Sequence, residues 1–243
     1  MKFITASVLL IWLIPPSATF AQDGTYIWSD QFENAEEGEW DLESYTDFNS
    51  TDLSGGKRYL NQTFELGYSA TRSLSFGASQ TIGKDISQNE LALGHFSAEG
   101  LYRFEAPHGF PISPALSLEY SRTWSRSVSS RIEMELILSR TLGPLTTIAN
   151  GGFEFQPGNK SEVDPEFSGG IGIGFTENFS GAFEMFSTAS DSYRLPGLEL
   201  RGTGVGPTLS FSIDGFSIAS GVSFGLTGGA DKLNIRTKMV MDL

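Results

Sequence analysis

The chain contains no cysteine. That excludes a disulfide framework, a thiolate metal site and a lipid-modified N-terminal cysteine. Histidine is nearly absent, with His95 and His108 as its two copies, so a transition-metal centre built on imidazoles has little to draw on. Basic residues are few. Sixteen Lys and Arg stand against 29 Asp and Glu, a formal net charge of −13, which leaves no basic surface to neutralise nucleic-acid phosphates. Long apolar runs are missing beyond the first twenty residues, and with them any segment approaching the ~20 apolar residues that a membrane-spanning helix needs.

The apolar run that is present lies at the start. Lys2 precedes Phe3 to Ile14, and Pro15-Pro16 and the small residues Thr19 and Ala21 follow. One positive charge, a short apolar core and small residues at the end predict a signal peptide over 1–21, cut before Gln22. Residues 22–38 are acidic and carry no periodicity, and they read as a short periplasmic tail.

From residue 39 to Leu243 the chain alternates apolar and polar side chains. Steps of two describe half-buried β-strands. Twelve strand segments are predicted, at 39–49, 58–69, 73–84, 91–105, 114–125, 130–141, 145–156, 165–176, 178–189, 197–213, 216–227 and 232–243. Each meets or slightly exceeds the ~9–11 residues of a tilted strand crossing a membrane. Turn residues separate them, as at Ala70-Thr71-Arg72, Gly143-Pro144, Thr176-Glu177-Asn178 and Asp214-Gly215. A longer link holds Ala106-Pro107-His108-Gly109-Phe110-Pro111. In 197–213 the alternation changes parity between Leu198/Leu200 and Leu209/Phe211/Ile213, which predicts a β-bulge or glycine kink within 202–207.

These features predict an all-β fold, a single antiparallel up-and-down transmembrane β-barrel over 39–243. In lipid, only a closed barrel satisfies every strand hydrogen bond. The implied location is the bacterial outer membrane, with an even strand number placing both chain ends in the periplasm. Trp40, Tyr68, Tyr102, Phe104, Phe175, Phe179 and Phe216 fall near the periplasmic strand ends, where an interfacial girdle belongs. The last segment carries Leu233, Ile235, Thr237, Met239, Met241 and Leu243 on one parity. That ladder is expected to be read by barrel-assembly machinery, although Leu243 replaces the usual terminal aromatic.

With the apolar parity facing lipid, the opposite parity holds the candidate lumen residues. They are Glu65, His95, Glu99, Arg103, Glu119, Arg131, Glu133, Glu135, Glu154, Glu184, Glu199, Arg201, Arg236 and Lys238. A charged side chain at mid-depth in lipid costs about 2–4 kcal/mol for Arg or Lys, so reversing the faces would cost on the order of tens of kcal/mol. Arg122 and Arg140 lie on the lipid parity near strand ends, where long side chains snorkel. Glu outnumbers Arg and Lys inside, which favours cations or neutral polar solutes over anions.

Two readings of that interior follow. In one it is a narrow passive channel for small solutes. In the other, acids and bases fill a closed structural or interaction barrel. Outer-membrane lipid-modifying enzymes form a third class, but they need a serine and a histidine facing lipid. No such serine motif is present, and the His95 side chain is predicted to point inward. No catalytic residue, cofactor or metal ion is expected, although a Glu-rich interior has the ligand type that Ca²⁺ takes. Asn-x-Ser/Thr sequons at Asn49, Asn61, Asn159 and Asn178 invite a rival picture of a secreted β-sandwich. Even strand number and the terminal ladder favour the barrel.

Three segments are familiar together: Glu36-Glu37-Gly38-Glu39-Trp40-Asp41-Leu42-Glu43-Ser44-Tyr45, then Asn61-Gln62-Thr63-Phe64-Glu65-Leu66-Gly67-Tyr68 with Thr71-Arg72, and Ser223-Phe224-Gly225-Leu226-Thr227. They resemble a broad group of bacterial outer-membrane barrels classed with transporters, including the set named after the meta-pathway of phenol degradation. The resemblance implies uptake or export of small compounds, aromatic ones among them. It carries no catalytic residues to transfer.

Overall fold

The computed structural model describes residues 25–31, 36–53, 56–105, 112–123, 130–157, 162–188, 202–228 and 230–243. The predicted signal peptide, His108, Asn159, Glu199 and Arg201 lie outside them. Twelve strands run β1 (Trp40–Ser50), β2 (Arg58–Thr71), β3 (Leu74–Asp85), β4 (Glu90–Arg103), β5 (Ser113–Thr123), β6 (Ser130–Leu142), β7 (Leu145–Gln156), β8 (Glu162–Gly174), β9 (Phe179–Thr188), β10 (Gly204–Ile213), β11 (Phe216–Gly225) and β12 (Leu233–Asp242). Each pairs antiparallel with its neighbours in sequence, and β1 closes on β12, from Asp41↔Asp242 to Ser50↔Leu233. Closure leaves no unpaired edge. No helix among the described residues is long and apolar enough to cross a membrane.

Alternation sorts the side chains. Phe64, Leu66, Leu118, Phe153, Ile171, Phe183, Leu209 and Phe224 stand exposed on the outside, each between 44% and 62% accessible. An apolar belt around a closed barrel is a lipid-facing surface. The sandwich alternative fails here, because it would bury two inner faces rather than leave one apolar face outside. At the end of the barrel where β1 begins and β12 ends, aromatic pairs mark the rim. Trp40 lies over Tyr68, Tyr102 meets Phe104 edge-on and Phe175 tilts on Phe179, with ring centroids 4.6, 5.1 and 5.3 Å apart.

Three described links at this end, β2–β3, β6–β7 and β10–β11, are only two residues long. Asp214 and Gly215 both take positive φ, 41° and 73°. That two-residue hairpin geometry matches the right-handed strand twist, and Asp-Gly suits it.

Strand ten meets one expectation in part: Gly202 takes a positive φ of 82°, a glycine kink within 202–207, but no bulge follows it. β10 begins at Gly204, and its ladder runs without a shift from Gly204↔Phe186 to Phe211↔Phe179. Leu198 and Leu200, whose parity suggested the bulge, lie outside the described residues, and Val205 already belongs to the outward set. Register shifts fall elsewhere, between Ser69 and Thr71 in the β2–β3 ladder and between Gln80 and Ile82 in the β3–β4 ladder.

Candidate functional site

The barrel interior divides into two unlike halves. Along β7–β12 small residues predominate on the inner face, among them Asn150, Ser168, Gly170, Gly172, Ser180, Ala182, Thr208, Ser210 and Gly221, with Glu154, Glu166, Glu184, Arg236 and Lys238 set between them. A small-residue wall leaves room, and a chain segment fills it. Thr25, Tyr26, Ile27 and Ser29, expected in a tail outside the barrel, lie inside it with 2–5% of their surface exposed. The aromatic-aliphatic run Tyr26-Ile27-Trp28 explains why. Periodicity cannot detect a segment that pairs with no strand, but three large apolar side chains gain from burial.

This strap is held by polar contacts from Thr25 to Asp30. Thr25 Oγ1 lies 3.1 Å from Ser180 Oγ, and the Tyr26 hydroxyl lies 2.8 Å from Thr146 Oγ1. Arg236 Nη1 donates to the Ile27 carbonyl at 3.0 Å, and Asn150 Nδ2 donates to the Asp30 carbonyl at 3.0 Å. Three successive backbone amides converge on one carboxylate. Ile27 N, Trp28 N and Ser29 N donate to Glu184 at 3.1, 2.9 and 3.0 Å. Thr208 Oγ1 adds a fourth donor at 2.7 Å, and Glu184 has no exposed surface. Consecutive amides aimed at one anion form a nest. Tyr26 also packs on Ala115, Ile137, Ile148 and Ala182, and burial pushes its phenol up to about 12. Trp28 stacks on Phe186, with centroids 5.7 Å apart.

The β1–β6 half is different. Beside the strap runs a cavity of about 640 Å³, from Thr71 and Arg72 at the terminal rim to Asn49, Asn61 and His95 toward the other end. Nine carboxylate residues line it: Asp30 of the strap, Asp41, Glu43, Asp47, Glu65, Glu99, Glu119, Glu133 and Glu166. Three cationic residues do so: Arg72, Arg236 and Lys238. Arg236 Nε is bound to Asp47 at 2.5 Å, and Lys238 Nζ pairs with Glu43 at 3.0 Å, so the wall's uncompensated charge is negative.

The structure brings Glu65, His95, Glu99, Glu119, Glu133, Arg236 and Lys238 of the sequence candidates to this cavity. His95 Nε2 lies 3.3 Å from Thr81 Oγ1. Arg103 sits on the inner parity of β4 close to the terminal rim. Arg131 pairs with Glu154 at 3.1 Å. Glu135 and Glu184 are buried at 6% and 0% exposure, bonded to Asn150 and to the strap respectively, and neither lines the cavity. Sequence reasoning passed over Asp41, Glu43, Asp47 and Glu166. Their signal was available, because each shares the inward parity opposite Leu42, Phe48 and Phe167.

One cluster has the geometry of a cation site. Carboxylate oxygens of Glu133, Glu154 and Glu166 lie within 4.8 Å of one another. Three carboxylates so close need shared protons or nearby positive charge, and Arg131 supplies one such charge at Glu154.

No family model matches the chain, and no curated protein matches its sequence. Solved structures do match in fold. An outer-membrane channel from Pseudomonas putida F1 is 10% identical with a TM-score of 0.66, over 90% of this chain and all of the other. The NanC porin is also 10% identical, with a TM-score of 0.59 over 84% of this chain and 100% of its own. The translocator domain of the autotransporter NalP from Neisseria meningitidis is 11% identical, with a TM-score of 0.54 over 86% and 89% of the two chains. The fold of this chain is that of the bacterial outer-membrane β-barrels.

Proposed function

We propose that the protein is a narrow passive channel of the bacterial outer membrane for small cations and neutral polar solutes. The observation that carries the reading is the cavity, lined mainly by β1–β6 with Asp30 of the strap and Glu166, Arg236 and Lys238 of β8 and β12, where nine carboxylate residues face three cationic ones, two of them already paired. A low-dielectric wall with one sign of charge raises the local concentration of counter-ions and excludes co-ions. The channels and porins among its structural neighbours support the same reading. The strap favours a second one, a barrel closed to solutes, since it fills the other half of the lumen.

Planar-bilayer recording under a KCl gradient separates them. An open acid-lined path gives discrete steps and a reversal potential on the K⁺ side. Neutralising Glu65 and Glu99 together, as Glu65→Gln with Glu99→Gln, then moves the reversal potential toward zero. Unchanged selectivity in that double variant overturns the acid-lined channel, and electrical silence of a heat-modifiable, folded barrel establishes the closed one.

A further inference from the structure

We propose that the strap, residues 25–31, is the element that limits conductance, and that Glu184 is the residue that positions it. This deepens the channel reading and rests on it. The strap forms one bank of the cavity, which Tyr26 to Gln31 line. Its place across the lumen therefore sets the width of the path.

What fixes that place is chemically specific. The strap lies in no strand ladder, so its amides have no sheet partners of their own. Glu184 takes three of them in succession, and Thr208 donates to the same carboxylate at 2.7 Å. A carboxylate, an acceptor on both oxygens, fits four converging donors. The wall is shaped to match. A Cβ on Gly221 would stand 2.5 Å from the Trp28 ring, and one on Gly170 would stand 2.8 Å from Tyr26. Without the carboxylate, the amides of residues 27–29 are better served by water in the open half of the lumen. Removing it therefore moves the strap off β8–β11 and changes the path.

The absence of native cysteine makes the movement readable. Ser29 of the strap is 4% exposed, so Ser29→Cys in the full-length refolded protein reports undocking through its reaction with a water-soluble maleimide. Adding Glu184→Ala should raise the labelling rate at least tenfold. In a bilayer, Glu184→Ala in the cysteine-free chain should at least double the unit conductance, with Glu184→Gln between it and the parent. Tyr26→Ala with Trp28→Ala, which leaves the strand ladders untouched, should act in the same direction if the Glu184 variant fails to fold. Labelling that stays slow in every variant overturns the positioning role. Fast labelling with conductance unchanged from the parent overturns the limiting role. A silent parent with conducting variants supports the strap as the closing element. Silence throughout overturns the limiting role together with the channel reading, while labelling still decides the positioning.

Discussion

The two halves of the lumen share one strand architecture and differ in what their inward positions carry. On β7–β12 those positions are mostly Gly, Ser, Thr and Asn, and the space is taken by a strap whose own backbone supplies donors. On β1–β6 they hold long carboxylates, and the space stays open. Side-chain size at alternate positions thus decides whether a barrel interior is solid or hollow. Glu184 shows the same residue type in both settings. Ringed by amides it is wholly buried, whereas Glu65 and Glu99 face the cavity. Arg236 joins the halves, gripping Asp47 of the acid wall and the Ile27 carbonyl of the strap.

A pair of glycines tests that contrast most sharply. A Cβ on Gly221 would meet the Trp28 indole at 2.5 Å, and a Cβ on Gly77 would meet Glu65 Oε1 at the same 2.5 Å. The distances are equal but the obstacles are not. The indole is fixed against Phe186, while the glutamate end can swing into the cavity. Gly221→Ala should therefore cost about 1–3 kcal/mol, the usual range for overpacking a fitted interior. Gly77→Ala should cost well under 1 kcal/mol, because the flexible end relieves the clash. Guanidinium unfolding of the two variants in lipid vesicles checks this, and equal losses would dissolve the distinction between filled and open halves.

The sequence revealed these halves unevenly. The barrel was legible because lipid outside and a polar lumen inside impose a period of two on nearly every residue from Trp40 onward. Gly143-Pro144 and Asp214-Gly215 fixed two of the turns as well. The acid wall was legible in part, since parity alone points Glu65, Glu99 and Glu133 inward. Parity cannot say whether an inward carboxylate meets water or a partner, so Glu135 and Glu184 stood undistinguished from Glu65. The strap escaped because it pairs with no strand and hence shows no alternation. Only the run Tyr26-Ile27-Trp28 in a polar stretch hinted at burial.

Alkaline titration gives a finer test of the filled half. Burial holds the Tyr26 phenol near 12, above the ordinary tyrosine value of about 10. The folded value is the higher one. Tyr26 therefore supports the docked strap fully below pH about 10, and that support is lost as pH rises through 12. Difference absorbance at 295 nm between the parent and Tyr26→Phe should place the missing ionisation near pH 12. A value near 10 would mean that the phenol is solvated and the strap undocked. At neutral pH the same variant loses one hydroxyl contact, with Thr146, and should cost about 0.5–1.5 kcal/mol.

The smallest effect separates two ion pairs at the seams between the halves, one from β6 to β7 and one from β12 to β1. Arg131–Glu154 and Lys238–Glu43 are equally short, at 3.1 and 3.0 Å, but the Arg131 side chain is 47% exposed and the Lys238 side chain 13%. Exposed pairs contribute about 0–1 kcal/mol, because water competes for both charges. Lys238 also lies over the Tyr45 ring, 5.4 Å from its centroid, and its removal would leave Glu43 without its cationic partner in a half-enclosed place. Arg131→Ala should thus leave the unfolding midpoint nearly unchanged, and Lys238→Ala should lower it measurably. The electrical effect has a different origin. Arg131 is the positive charge beside the Glu133–Glu154–Glu166 cluster, so its loss should strengthen the preference for K⁺ even where stability does not move. A reversal potential insensitive to Arg131→Ala would place that cluster off the conducting path and confine selectivity to the part of the acid wall nearer Glu65 and Glu99.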